Sequence, residues 1–196
     1  MRIIIGAPGN GAVLKEALKE KLAGDERVSA LVDLSTPDIT YPEISFQAGQ
    51  AIAEGRADRG ILVCGTGIGT AIAANKVAGI RAATAHDLTS VRGAVENYNA
   101  QILCMGQNVI AAPAAWALVD IWLNLRHDAH SSYAPKVHEI SAFEQQKKAV
   151  QMLFRLPQHP RQPETYSFLS TQNPIARTAS QSKKCPGSVL RPSAMS

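Results

Sequence analysis

The chain has 196 residues, 45% of them hydrophobic, and a formal net charge of +4. That length allows one ordinary core and an appendage. The charge is unevenly placed: residues 157–196 carry five bases (Arg161, Arg177, Lys183, Lys184 and Arg191) against Glu164 alone, while residues 1–156 balance fifteen bases with fifteen acids. A neutral body advertises no nucleic-acid surface, so nucleic acid is not an expected partner.

The first elements follow at once. An apolar run over 2–6 predicts a strand, and it breaks at Gly6-Ala7-Pro8-Gly9, too soon for a secretory core. Val13, Leu14, Ala17, Leu18 and Leu22 recur at helical spacing and predict a helix over 11–23. A strand is predicted over 28–34, a helix over 42–55 with Pro42 in its first turn, and a strand over 60–64. Further predicted helices cover 70–77, 89–98, 111–125 and 135–153, and further strands 80–85 and 101–105. This alternation predicts a Rossmann-like, doubly wound α/β domain over 1–156: a five-stranded parallel sheet with helices on both faces. Ligands of such folds bind beyond the carboxyl ends of the strands, which directs attention to the loops 7–10, 65–69, 86–87 and 106–109.

Pro157 stops the last helix, and six of the eleven prolines lie from there onward. With no periodic apolar face, residues 157–196 are expected to form a disordered basic tail. No segment reaches the roughly 18 apolar residues of a membrane span, so no membrane association is expected. Cys64, Cys104 and Cys185 contain no C-x-x-C pair and suggest neither a disulfide framework nor a metal site. Reduced thiols in a cytoplasmic protein are the expectation.

Cys64 stands out among them, because it lies where the strand 60–64 meets the turn Gly65-Thr66-Gly67-Ile68-Gly69. A thiol there faces backbone N–H groups and a helix start, which favour a thiolate or a bound anion. Three other readings of the segment remain open. Gly65-x-Gly67-x-Gly69 with Asp87 about 20 residues on resembles part of a nucleotide-binding fingerprint, although it follows the third strand and lacks the G-x-G-x-x-G spacing. The glycines also suit a plain tight turn, and a free cysteine is commonly inert core.

A longer match bears on this choice. Residues 61–69 (ILVCGTGIG) and 73–82 (AANKVAGIRA), with Tyr41-Pro42, Asn99-Ala100-Gln101, Met105-Gly106 and Lys136-Val137-His138-Glu139-Ile140, resemble the ribose-5-phosphate isomerase B and galactose-6-phosphate isomerase (RpiB/LacAB) family over about residues 1–144. The segment 84–87 and Asn99-Ala100-Gln101 are most similar to the erythrose-phosphate isomerase-like and fungal branch. The resemblance implies a homodimer with its site at the subunit interface, no cofactor, and aldose–ketose isomerisation of a small sugar phosphate, tetrose or pentose, through an enediolate.

Residue roles follow from the same resemblance. Cys64 matches the proton-abstracting cysteine. Thr66 orients a substrate oxygen, and the N–H groups of Gly65, Gly67, Ile68 and Gly69 stabilise the enediolate. Tyr41, His86, Asn97, Tyr98, Asn99 and Lys136 complete the implied substrate-binding set, while Asn75 is read as bracing the loop.

The chain also departs from the family pattern. Pro8-Gly9 stands where Asp-His is usual, Asn97 replaces the ring-opening histidine, and two phosphate-binding arginines align with Asn108 and Ser132. A third aligns with Lys136, which keeps only a point charge. A four-carbon aldose phosphate cannot close a ring through its phosphorylated terminal oxygen, so an enzyme for it needs no ring-opening groups. A catalytically impaired, metabolite-binding protein of the same fold is the competing expectation.

Overall fold

The computed structural model describes residues 1–154. Five strands, β1 (Arg2–Gly6), β2 (Ala30–Asp33), β3 (Arg59–Cys64), β4 (Ala82–Thr84) and β5 (Ile102–Gly106), form one parallel sheet in the order β2-β1-β3-β5-β4. Helices α1 (Ala12–Ala23), α2 (Tyr41–Ala53), α3 (Ile68–Ala74), α4 (Leu88–Arg92), α5 (Ala112–Asn124) and α6 (Ala134–Phe154) connect and follow them. None of the described helices is long and apolar enough to cross a membrane. The tail expected over 157–196 lies outside the described residues.

Side chains alternate between the sheet faces with a period of two, and the core divides accordingly. Ile3, Ile5, Ile61, Val63, Leu103 and Met105 pack with α1 and α5, including the fully buried Trp122. Ile4, Leu62, Ile102 and Cys104 pack with the small-residue faces of α2 and α3, among them Ala48, Ala51, Ala71 and Ala74. Cys64 follows Leu62 by two and therefore falls on the α2/α3 side. Cys104 is fully buried there.

Element ends moved where side-chain chemistry overrides the apolar pattern. The strand expected over 80–85 shortens to Ala82–Thr84. Asn75 is the reason at its start: its Oδ1 accepts from Ala82 N at 2.9 Å and its Nδ2 donates to Ala82 O at 2.8 Å, tying the end of α3 to β4. The helix expected over 89–98 is one α-turn followed by a wider turn over Gly93–Asn97, which closes with Tyr98 N donating to Gly93 O. The helix expected to start at Thr70 starts at Ile68, because Gly67 takes φ +79° and turns the chain into it two residues earlier. Thr40 caps α2, and Pro42 lies in its first turn.

Chain order reverses between β1 and β3, since β2 lies to one side of β1 and β3 to the other. The loops leaving β1 and β3 diverge at that point, the usual place for a crevice in an open α/β sheet. Cys64 ends β3 there.

Candidate active site

Three loops meet around Cys64. The turn after β5 is stitched to β3 through its backbone, Gln107 N donating to Cys64 O at 2.8 Å and Asn108 N to Gly65 O at 3.0 Å. Gln107 Oε1 accepts from Leu14 N at 3.0 Å and so ties the same turn to α1. Gly65 lies between two carboxamides: a Cβ there would be 3.4 Å from the side-chain nitrogens of both Asn10 and Asn108. Gly106 permits a close approach, as a Cβ on it would sit 2.6 Å from the backbone of Thr66. Only glycine lets these two loops touch.

Cys64 is 6% exposed, and donors surround its sulfur. Gly67 N–H points at Sγ from 3.1 Å, and the Thr70 hydroxyl lies 3.7 Å away. Burial alone would push this thiol up. The Thr70 hydroxyl and the N–H groups of Thr66, Thr70 and Gly67 outweigh burial and hold it below the ordinary value of 9.0. The thiol of Cys104, one layer deeper on β5, is pushed up by burial to about 12. Two cysteines on one sheet face thus have opposite character, and only Cys64 has the environment of a base.

The other sequence-predicted residues divide into two groups. Thr66 is exposed on the loop, its hydroxyl accepting weakly from Ile68 N at 3.4 Å. The ring of Tyr41 lies over Gly69, 3.0 Å from where a Cβ would be. His86 Nε2 accepts from Gly106 N at 2.7 Å, so the ring braces the turn opposite Cys64 and has only Nδ1 left for a ligand. Burial keeps that imidazole below its usual value, partly opposed by Asp87. Asp87 itself caps α4, accepting from Ser90 N at 2.9 Å. A carboxylate committed in this way is not placed to hold a ribose, which removes the support for the nucleotide reading.

The second group lies elsewhere in the same chain. Tyr98 is 47% exposed and meets Tyr133 edge-on at 5.6 Å, and Lys136 Nζ stands 4.7 Å above the Tyr133 ring. Asn97 ends the wide turn, and Asn99 follows with φ +50°. Tyr98 lines a groove of about 710 Å³ along the β4 edge with Arg81, Ile140 and Phe143, and none of residues 64–69 lines it. Within one chain, Asn97, Tyr98, Asn99 and Lys136 are therefore not gathered around Cys64.

Arg126 and His127 are occupied locally, Arg126 on the carbonyls of Leu123 and Leu125 and His127 on Glu96 O at 2.8 Å. No group of three or more His, Cys, Asp or Glu among the described residues could hold a metal ion. Sequence reasoning missed two hydroxyls. Thr70 and Thr84 both donate to Gly67 O at 3.0 Å. For Thr70 a signal was present, since it follows Gly67 by three, the spacing at which a Thr in a first helical turn bonds back to a carbonyl.

The sheet order, the β3 corner and its glycine contacts describe a doubly wound α/β domain with a crevice at the end of β3, and comparison with known proteins places that domain in a family. The model of the Ribose/Galactose Isomerase family matches residues 3–140, and the chain belongs to that family. D-erythrulose-4-phosphate isomerase 2 of Mycolicibacterium smegmatis is 46% identical over 148 residues, covering 74% of this chain and 97% of the relative. D-erythrulose-4-phosphate isomerase of Pectobacterium atrosepticum is 37% identical over 150 residues, covering 76% and 98%. Among solved structures, Clostridium thermocellum ribose-5-phosphate isomerase B superposes with a TM-score of 0.70 at 34% identity, covering 75% of this chain and 99% of that one. The family and the doubly wound fold expected from the sequence both hold.

Proposed function

We propose that this sugar-phosphate isomerase interconverts a four-carbon aldose phosphate and its ketose, with Cys64 as the base. The reaction moves one proton from the carbon beside the carbonyl to its neighbour through an enediolate. A base within about 3 Å of that hydrogen is required. The observation that carries the reading is the placement of the Cys64 sulfur at the carboxyl end of β3 beside the Gly67 N–H, with its thiol held below the ordinary range.

As thiolate, Cys64 takes the proton and then returns it to the adjacent carbon. With the Gly67 N–H directed at the sulfur, the other N–H groups along Gly65–Gly69 receive the charge that develops on the oxygens, each well-aimed donor supplying about 3 kcal/mol. Thr66 orients one of those oxygens through its hydroxyl.

Chain length follows from what is missing. With Pro8-Gly9 after β1 and Asn97 in place of a histidine, the residues that the family uses to open a furanose ring are replaced, and a four-carbon aldose phosphate needs none. The two relatives named for erythrulose 4-phosphate support the same choice. Asn97, Tyr98, Asn99 and Lys136 then serve the site of a second copy of the chain. The exposed Ile140 and Phe143 beside them support a homodimer.

Proton NMR in deuterated water tests the reading with D-erythrose 4-phosphate and D-ribose 5-phosphate, on the native protein and on Cys64→Ala. The expected result is conversion of the tetrose phosphate with deuterium entering the product, absent in Cys64→Ala. Binding of both sugars without exchange would overturn it and leave a metabolite-binding protein. Faster exchange with the pentose phosphate would overturn the assignment of chain length alone.

A further inference from the structure

Gly67 O is the most heavily supplied acceptor near the site. Thr70 Oγ1 and Thr84 Oγ1 each lie 3.0 Å from it, and Ala71 N lies 3.2 Å away. A carbonyl oxygen has two lone pairs, so one of three donors is surplus. Of the three, Thr70 has a second acceptor within reach, the Cys64 sulfur at 3.7 Å. Thr70 is fully buried, so its single hydroxyl proton must point at one or the other.

We propose that Thr70 is a positioning residue that acts as a hydroxyl rotor on Cys64, with Thr84 holding the Gly67 carbonyl whenever the Thr70 proton turns to the sulfur. The inference rests on the reading of Cys64 as base. With Cys64 as thiol, its S–H donates to Thr70 Oγ1 while Thr70 O–H donates to Gly67 O. Loss of the sulfur's proton to solvent leaves a thiolate, and the Thr70 O–H swings from Gly67 O to that anion. Thr84 and Ala71 keep the carbonyl satisfied, so the swing strands no buried acceptor. When the thiolate takes a proton from substrate carbon, the rotor returns. No proton passes through Thr70, and no charge is created on it.

The surroundings favour hydroxyl control. The titratable group on the neighbouring strand that faces Cys64 is Cys104, which stays a thiol and also has Thr70 as a partner. His86 stands behind Gly106, the register partner of Cys64; its Nε2 accepts from Gly106 N, and burial lowers its pKa. The groups that hold the Cys64 thiol down against burial are the Thr70 hydroxyl and the backbone N–H groups of Thr66, Thr70 and Gly67. The anion is stabilised by oriented dipoles, one of which rotates.

The test measures the pH dependence of iodoacetamide alkylation at Cys64, resolved by peptide mass spectrometry so that Cys104 and Cys185 do not contribute. Thr70→Val is expected to move the midpoint upward, lowering alkylation at neutral pH about tenfold. Thr70→Ser is expected to restore it. Thr84→Val removes the surplus donor, so it is expected to move the midpoint the same way by about threefold in rate, and to add nothing once Thr70 is Val. An unchanged midpoint in Thr70→Val, or additive shifts in the double variant, would overturn the rotor. Should Thr70→Val fail to fold, Thr84→Val decides alone, an unmoved midpoint counting against the proposal.

In the deuterium-exchange assay, Thr70→Val is expected to lower kcat at neutral pH, recover at high pH, and leave KM nearly unchanged. If the native protein exchanges no sugar phosphate while the alkylation midpoints move as described, the isomerase reading fails and the rotor stands.

Discussion

The corner at the end of β3 and the groove along the β4 edge are built in opposite ways. At the corner, backbone touches backbone through Gly106 and Gly11, the latter so close that a Cβ would lie 2.5 Å from Val63 O, and the polar atoms inside are mostly paired. Along the edge, Tyr98, Ile140 and Phe143 are about half exposed, and α6 meets the body through few anchors, including Glu144 on Gly79 N and the buried Val137. The first arrangement keeps one sulfur beside the Gly67 N–H and the Thr70 hydroxyl. The second leaves apolar surface and ring edges outward. In this reading reactivity belongs to the closed region, and the open one contributes groups to a neighbouring copy.

The sharpest way to break that contrast is Cys64→Ala. Deuterium exchange is expected to fall by about 10²- to 10⁴-fold, while thermal unfolding stays close to native because a small thiol with few partners is removed. A large loss of stability without loss of exchange would assign the sulfur to packing. Gly106→Ala attacks the corner's geometry instead. Its methyl has no room against Thr66, so the loop must shift, with exchange expected to fall about 10²-fold and stability by about 1 to 3 kcal/mol.

Phe143→Asp addresses the open region. It is expected to leave the unfolding of the isolated chain nearly unchanged and to shift light scattering from dimer to monomer, with exchange lost in parallel. A monomeric native protein that exchanges at full rate would remove the edge from the mechanism.

Acid titration should produce the smallest effect. Asp25 is held down to about 2, chiefly by hydrogen bonds from Arg27. Burial would raise Asp33, but Lys15, Lys19 and Ser35 outweigh it and hold this carboxyl below its usual range. Depressed carboxyls contribute stability that is complete above their unfolded value and is lost as pH falls through the folded one. Urea midpoints are therefore expected to be level from neutral pH to about 5 and to decline toward pH 2. Arg27→Gln and Lys15→Met should each flatten part of that decline.

The regular parts of the fold were legible because period-two and helical spacing report burial directly. The strand over 2–6 coincides with β1, and Pro42 marks the first turn of α2. The misread boundaries have local causes that spacing alone does not report: the Asn75 side chain bonding seven residues on, a turn closed over five residues at Gly93, and a positive φ at Gly67. Nothing near residues 80–81 indicates that Asn75 organises the start of β4, or that the chain widens its turn at Gly93. The site was legible at the strand-to-glycine junction, which is local. Thr84 reaches Gly67 over a separation of 17 residues, and Asn10 meets Asn108 across Gly65 only once β1, β3 and β5 are aligned. Asn97 and Tyr98 carry a different lesson, since a motif on one chain need not serve that chain's own crevice.

Among the described residues of the chain, the groups within hydrogen-bond reach of the Cys64 sulfur are amide and hydroxyl dipoles. Mobile ions in solution screen separated charges and leave such oriented dipoles almost untouched. Added potassium chloride should therefore weaken capture of a doubly charged phosphate while leaving the fraction of protein with an ionised sulfur where it was. Proton abstraction and substrate recognition would then respond separately to the salinity of the medium.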